Sequence, residues 1–165
     1  MEFREIKTAD EIDRLESLIN EIWPEVFIPI IGREQVDYML VHYQGKDVIG
    51  KEIKSGVRYF FVEDSNRRIG YFAYSLEEDH LAVSKVYLKK EFRGLGLSSA
   101  LFSHFEEIAR AEKKGKILLH VNRNNKRAVE VYLHLGFEIV KTVDIPLGDR
   151  FFLNDYWMEK KILVV

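Results

Sequence analysis

The chain contains no cysteine. This excludes disulfides, thiolate metal sites and any covalent cysteine intermediate, and it removes the framework on which small secreted domains are usually built. Proline is scarce, at three residues in 165. No apolar run approaches the roughly 20 residues needed to span a bilayer, and the start, Met1-Glu2-Phe3-Arg4-Glu5, has no apolar signal core. A cytoplasmic location without a membrane partner is the expectation. Positive charge is not in excess either. Lys and Arg number 25 against 27 Asp and Glu, a net charge of -2, so a nucleic-acid partner has no electrostatic basis.

What is present fits a soluble globular protein: 47% hydrophobic and 32% charged residues. The length predicts one domain over residues 1–165 with a sizeable core. Thr8-Ala9-Asp10-Glu11 has the form of a capping box and predicts a helix start. Ile12, Leu15, Leu18, Ile19 and Ile22 then recur at helical spacing, and Pro24 is expected to close that helix. A shorter helix is expected over 33–43. A loop is expected over 44–56, which is polar and holds Gly45, Gly50 and Gly56. Residues 57–63, 69–76 and 80–88 read as an antiparallel meander. A helix bearing Leu97, Leu101, Phe102, Phe105, Ile108 and Ala109 follows, then a strand at 116–121, a helix at 126–135 and a strand at 137–143. A loop with Pro146 and Gly148 precedes a last strand near 156–163. The order implies an α/β fold with a mixed, mostly antiparallel central sheet and helices on its faces. Residues 80–121 should form one right-handed parallel crossover.

The most informative stretch is the strand 80–88 leading into Arg93-Gly94-Leu95-Gly96-Leu97-Ser98-Ser99 and a helix. Free N–H groups at a helix start attract anions, and glycine lets a backbone approach a phosphate closely. A Walker loop does not fit, because Gly96 is followed by Leu97-Ser98 where Lys-Ser/Thr is needed. A dinucleotide fingerprint could use Gly94, Gly96 and Ser99. It also expects an acidic residue after the next strand, which here ends Val121-Asn122-Arg123. Some thirty residues on, Asn125 is placed to cap a helix whose apolar face holds Ala128, Val129, Tyr132 and Leu135, and Gly136-Phe137 is placed to end it.

Together, the loop and Asn-x-x-Ala-x-x-x-Tyr-x-x-x-Gly-Phe resemble the GNAT superfamily of acetyl-CoA-dependent N-acetyltransferases. The likeness covers roughly 80–140, and Asn154-Asp155-Tyr156-Trp157-Met158-Glu159-Lys160 also resembles the last strand of bacterial members. One position departs from the family loop: Glu91 stands where Gln or Arg is common. The resemblance implies that backbone amides from Arg93, Gly94, Leu95, Gly96, Leu97, Ser98 and Ser99 cradle the pyrophosphate of acetyl-CoA, with Asn125 also on the coenzyme side. It implies that main-chain groups of Val86, Tyr87 and Leu88 pair with the acetyl and pantetheine part. It places Tyr132 near the coenzyme sulfur as the catalytic residue.

Acetyl transfer needs a neutral amine, and only about one lysine-like amine in two thousand is neutral at pH 7. A base is therefore expected. Many family members carry a Glu on the strand before the glycine loop, but residues 81–88 hold no carboxylate. Asp79, His80 and Asp155 are the candidates. His42, His104, His120 and His134 form no His-x-x-x-His pair, so no metal is expected. The expected acceptor is a small amine or polyamine, or else a peptide amine, and transfer should be direct. The Tyr87-Leu88-Lys89-Lys90 segment resembles bacterial members that look polyamine-directed. A non-catalytic acyl-CoA sensor of the same fold is the rival reading. Either a monomer or a homodimer is compatible with the sequence.

Overall fold

Thr8 does cap the first helix reciprocally. Its Oγ1 accepts from the Glu11 amide at 3.1 Å, and Glu11 Oε1 accepts from the Thr8 amide at 3.0 Å. In the computed structural model, which describes residues 1–165, the elements run β1 (Glu2–Glu5), α1 (Ala9–His42), α2 (Lys46–Lys54), β2 (Arg58–Asp64), β3 (Arg67–Leu76), β4 (Leu81–Leu88), a 3-10 turn (Lys90–Phe92), α3 (Leu97–Ala111), β5 (Lys116–Asn122), α4 (Lys126–His134), β6 (Glu138–Leu147) and β7 (Phe151–Lys161). The strand order is β1-β2-β3-β4-β5-β7-β6, a mixed α/β fold. The chain divides into two compact units: residues 1–75 with 85–93, and residues 76–84 with 94–165.

In the first unit, β1, β2 and β3 pair antiparallel. The helices depart from expectation twice. Pro24 does not close α1, because Ile22, Trp23 and Phe27 are all buried along it. A proline inside a helix costs about 3 kcal/mol, and burial of large apolar side chains returns about 1.5–3 kcal/mol each, so continuing wins. The break comes at Gly32, with φ 83° and ψ 159°, where the helical run is interrupted before the 33–43 segment resumes it. Residues 46–54 are helical rather than a loop. The N-terminus of α2 is satisfied from a distance: Glu16 Oε2 accepts from the Lys46 amide at 2.8 Å, placing a carboxylate at the positive end of the helix, while Ile49 is buried. The short strand β1 was not foreseen.

In the second unit, β4 pairs with β5 in parallel over Leu81–Val83, as a strand–helix–strand crossover through α3 requires. Leu101, Phe105 and Ala109 of α3 and Ile117 of β5 are completely buried. β7 runs antiparallel between β5 and β6. The last two strands are longer than expected, and Pro146 lies inside β6, opposite Phe152. A strand tolerates proline there because β6 is the last in the order and one of its edges needs no donor.

Candidate active site

In the second unit the glycine turn is a backbone device. Gly94 and Gly96 have φ of 76° and 79°, left-handed values that glycine adopts without strain. Gly96 is the N-cap of α3, has no side chain to cap it, and no acidic residue stands in the first turn. The opening amides of α3 are thus the unpaired donors that every helix start leaves. A Cβ at Gly94 would lie 3.6 Å from Arg127 Nη2, so a guanidinium stands beside the turn and adds to its pull on an anion.

Arg127 is held there by α4. Asn125 is the N-cap and accepts from the Ala128 amide at 3.4 Å. At the other end, the Phe137 amide donates to Tyr132 O at 3.0 Å and the Gly136 amide to Leu133 O at 3.1 Å. This is a Schellman pair of bonds, and it comes with an apolar contact between the rings of Tyr132 and Phe137 at 6.2 Å. Phe102 of α3 packs 5.5 Å from Tyr132. Tyr132 is therefore fixed in position by its own helix end and by α3, and burial pushes its phenol well above the ordinary range.

In the first unit, β4 ends in Val86, Tyr87 and Leu88. The Tyr87 ring packs on Tyr71 at 5.5 Å, Phe27 at 5.9 Å and Trp23 at 6.0 Å. Arg93 is committed within the protein. Its Nε donates to Leu88 O at 3.0 Å, its Nη1 to Glu25 Oε2 at 3.0 Å, and its amide to Lys90 O at 3.2 Å. Its side chain holds the end of β4 in place.

The sequence matches the family model described as "Acetyltransferase (GNAT) family" over residues 12–137. The chain belongs to the GNAT acetyltransferase family. The PaiA N-acetyltransferase of Thermoplasma acidophilum, solved in complex with coenzyme A, superposes with a TM-score of 0.78 at 19% identity, covering 98% of this chain and 99% of that one. A GCN5-related N-acetyltransferase from Rhodopseudomonas palustris gives 0.79 at 12% identity, covering 98% and 95%. Among curated proteins, "Probable N-acetyltransferase san" of Drosophila melanogaster is 44% identical over 54 residues, 31% of this chain and 28% of that protein. "GCN5-related N-acetyltransferase 6, chloroplastic" of Arabidopsis thaliana is 29% identical over 114 residues, 68% of this chain and 36% of that protein. The chain thus spans about a third of the length of the curated relatives it matches.

Within this GNAT fold the three candidate bases sit in different settings. Asp79 and His80 form an exposed pair at 2.7 Å in the turn before β4. The hydrogen bond from His80, with Lys116 behind it, holds the Asp79 carboxyl below its usual range. Asp155 is buried on β7, opposite Asn122 of β5 and Val143 of β6. Desolvation pushes its carboxyl up to about 6 against the opposing pull of Arg123. No helix is long and apolar enough to cross a membrane.

Sequence reasoning missed three features. Arg127 lay inside a motif read for its Asn and Tyr. Gly70 of β3 looked like an ordinary strand residue, yet a Cβ there would fall 2.8 Å from Leu88 Cδ2, 3.1 Å from Leu88 Cα, and closer still to the Tyr87 carbonyl oxygen. Lys85, the lone charge within Leu81–Leu88, was passed over although a single charge inside a mostly apolar strand was the available signal.

Proposed function

We propose that this chain is an acetyl-CoA-dependent N-acetyltransferase, acting in the cytoplasm as a monomer or homodimer, that passes the acetyl group directly to an amine. The supporting observation is the uncapped, acid-free start of α3 behind Gly94 and Gly96, with Arg127 beside it. Its chemistry suits a pyrophosphate, and the Thermoplasma acidophilum fold neighbour was solved in complex with coenzyme A. Because the Arg93 amide already serves Lys90 O, the cradle we assign runs from Gly94 to Ser99, with Asn125 shaping it through the start of α4. Main-chain groups of Val86, Tyr87 and Leu88 are assigned to the pantetheine and acetyl carbonyl, where a backbone N–H would polarise the thioester.

Tyr132 is assigned to the leaving thiolate. An ordinary phenol is about 1.5 pKa units above a thiol, so full proton transfer is uphill by roughly 2 kcal/mol. Burial of Tyr132 raises that cost further. Its role in this reading is to donate a hydrogen bond as the C–S bond breaks. The acceptor is a small amine or polyamine, with a peptide amine as the competitor.

The test is thermal unfolding with coenzyme A, acetyl-CoA and NADH, followed by free-thiol detection across a panel of amines. Acetyl-CoA at 100 times its Kd should add about 2.7 kcal/mol to stability. No shift at millimolar coenzyme overturns the reading. A shift without turnover on any amine returns the chain to the sensor class.

A further inference from the structure

Four side chains from four segments meet at the middle of β4. Lys85 Nζ lies 3.0 Å from Gln44 Oε1 and 3.2 Å from the Tyr59 hydroxyl oxygen. Tyr59 in turn donates to Glu52 Oε1 at 2.8 Å. Glu52 Oε1 is 4.0 Å from Lys85 Nζ. Gln44 follows α1, Glu52 is on α2, and Tyr59 is on β2. Gln44 and Tyr59 are buried, the Lys85 side chain is 11% exposed, and that of Glu52 is 31% exposed. The Tyr87 ring stands two residues along β4 on the same face. The cluster therefore leads from a sheltered amine to a carboxylate that reaches water.

We propose that Lys85 is the proton acceptor for the incoming amine and that Tyr59 and Glu52 pass the proton on to solvent. This rests on the acetyltransferase reading above. Lys85 directly precedes Val86, where the segment assigned to the acetyl and pantetheine part begins. A neutral amine has two N–H groups and one lone pair. Gln44 Oε1 and the Tyr59 oxygen each accept from Lys85 Nζ, so in the neutral form the lone pair would be left for a third partner. Burial favours the neutral form of Lys85, and Glu52 opposes it. Tyr59 stays a phenol, since burial and the neighbouring Glu52 raise it far above ordinary values.

The protons balance. The acceptor ammonium gives one proton to Lys85 Nζ and becomes a neutral amine. Lys85 then passes a proton to the Tyr59 oxygen while the Tyr59 hydrogen moves to Glu52, which releases it to water. The neutral amine attacks the thioester carbonyl, the C–N bond forms, and the C–S bond breaks. The second nitrogen proton ends on the coenzyme sulfur. Lys85 is again neutral and Glu52 again a carboxylate.

The alternative for the same atoms is a structural ion pair that ties α2 to β4, and pH profiles separate the two. Acetyl transfer from acetyl-CoA to spermidine, and to a peptide with a free N-terminus, is followed by thiol release from pH 6 to 10. Lys85→Met and Lys85→Arg should lose about 100-fold or more in kcat/KM near pH 7. They should recover towards the parent near pH 10, where the acceptor deprotonates unaided, and they should keep the acetyl-CoA-induced rise in Tm. Glu52→Gln should show a smaller loss of the same shape. A loss that is equal at all pH values, or full rescue by Lys85→Arg, overturns the proposal and leaves the ion pair. Should the variants not fold, side-chain nitrogen NMR of the parent decides: a Lys85 amine titrating at or above the ordinary lysine value overturns it. If the parent acetylates no amine at any pH while binding coenzyme, the acetyltransferase reading fails and this one with it. If the parent is active and the Lys85 variants keep its profile, only this one fails.

Discussion

Gly70→Ala adds one methyl group where the structure has no room for it. The new Cβ would sit 2.8 Å from Leu88 Cδ2 and 3.1 Å from Leu88 Cα, and closer still to the Tyr87 carbonyl oxygen. Ordinary carbon–carbon contact is about 3.5–4.0 Å. The Leu88 methyl can swing aside, but a backbone carbonyl cannot. β4 must therefore move away from β3 by the better part of an ångström, and its end is restrained. The Lys89 amide donates to Ile69 O at 2.8 Å, and Arg93 holds Leu88 O. Overpacking a well-filled site costs about 1–3 kcal/mol. At this chain length each kcal/mol moves Tm by about 2–4 °C, so the expected loss is roughly 2–12 °C. The displaced segment is Val86–Leu88, so coenzyme affinity should fall as well, and by more than in a control substitution of equal stability cost elsewhere in the first unit. Thermal unfolding with and without acetyl-CoA measures both effects. A variant that melts within a degree of the parent and binds coenzyme normally refutes the close approach and its link to binding.

Tyr132→Phe should keep the packing against Phe102 and Phe137 and leave Tm within about 2 °C, because only a hydroxyl is deleted. Turnover should fall by about 10- to 1,000-fold with coenzyme binding preserved; unchanged turnover where chemistry limits the rate returns Tyr132 to a packing role. Arg127→Ala should weaken coenzyme A binding by about 3- to 30-fold and flatten its salt dependence, as loss of one cation beside a phosphate requires. An unaltered salt slope in a titration by calorimetry removes Arg127 from the anion site.

What the sequence made legible is what is local. The capping box needs only Thr8 and Glu11, three residues apart, and both its bonds form. Asn125 and Gly136-Phe137 mark the ends of α4 by short-range chemistry, and both act as caps. The left-handed turn at Gly94 and Gly96 is equally local. What stayed hidden depends on partners far away in the chain. The cap of α2 comes from Glu16, 30 residues before Lys46, so a polar stretch with three glycines read as a loop. Pro24 stays inside α1 because of where Trp23 lands: its indole N–H reaches the Tyr71 hydroxyl, 48 residues on, at 3.1 Å. The Lys85 cluster draws on Gln44 and Tyr59, 41 and 26 residues away. Two-residue alternation along β4 gives the face of Lys85, but only the pairing of β2 and the position of α2 give its neighbours.

Asp155 joins the candidate site to stability. Its carboxyl is pushed up to about 6 in the folded chain from an ordinary 3.8, because desolvation outweighs the attraction of Arg123. A raised folded value means that the native state binds the proton more tightly than the unfolded one. Below about pH 4 both states are protonated and nothing is lost. Between about 4 and 6 the unfolded chain ionises first, so this group's contribution falls as pH rises. Above 6 the cost is constant. The shift alone corresponds to about 3 kcal/mol, and screening by nearby solvent and by Arg123 brings the expected figure to about 1–2 kcal/mol. Asp155→Asn removes the charge and keeps the shape, and Arg123 retains Asp144 at 2.8 Å as its partner. The variant should therefore be more stable than the parent by that amount at pH 7–8, with the difference vanishing near pH 4. Urea unfolding of parent and variant at matched pH isolates the effect, since the depressed carboxyls of Glu5 and Glu11 act alike in both. A difference that is flat with pH, or a variant less stable than the parent at pH 8, refutes the assignment. If the stabilised variant also loses the low-pH limb of acetyl transfer while Lys85→Met does not, Asp155 is the base. A stabilised variant of parental activity makes Asp155 a buried charge outside the chemistry.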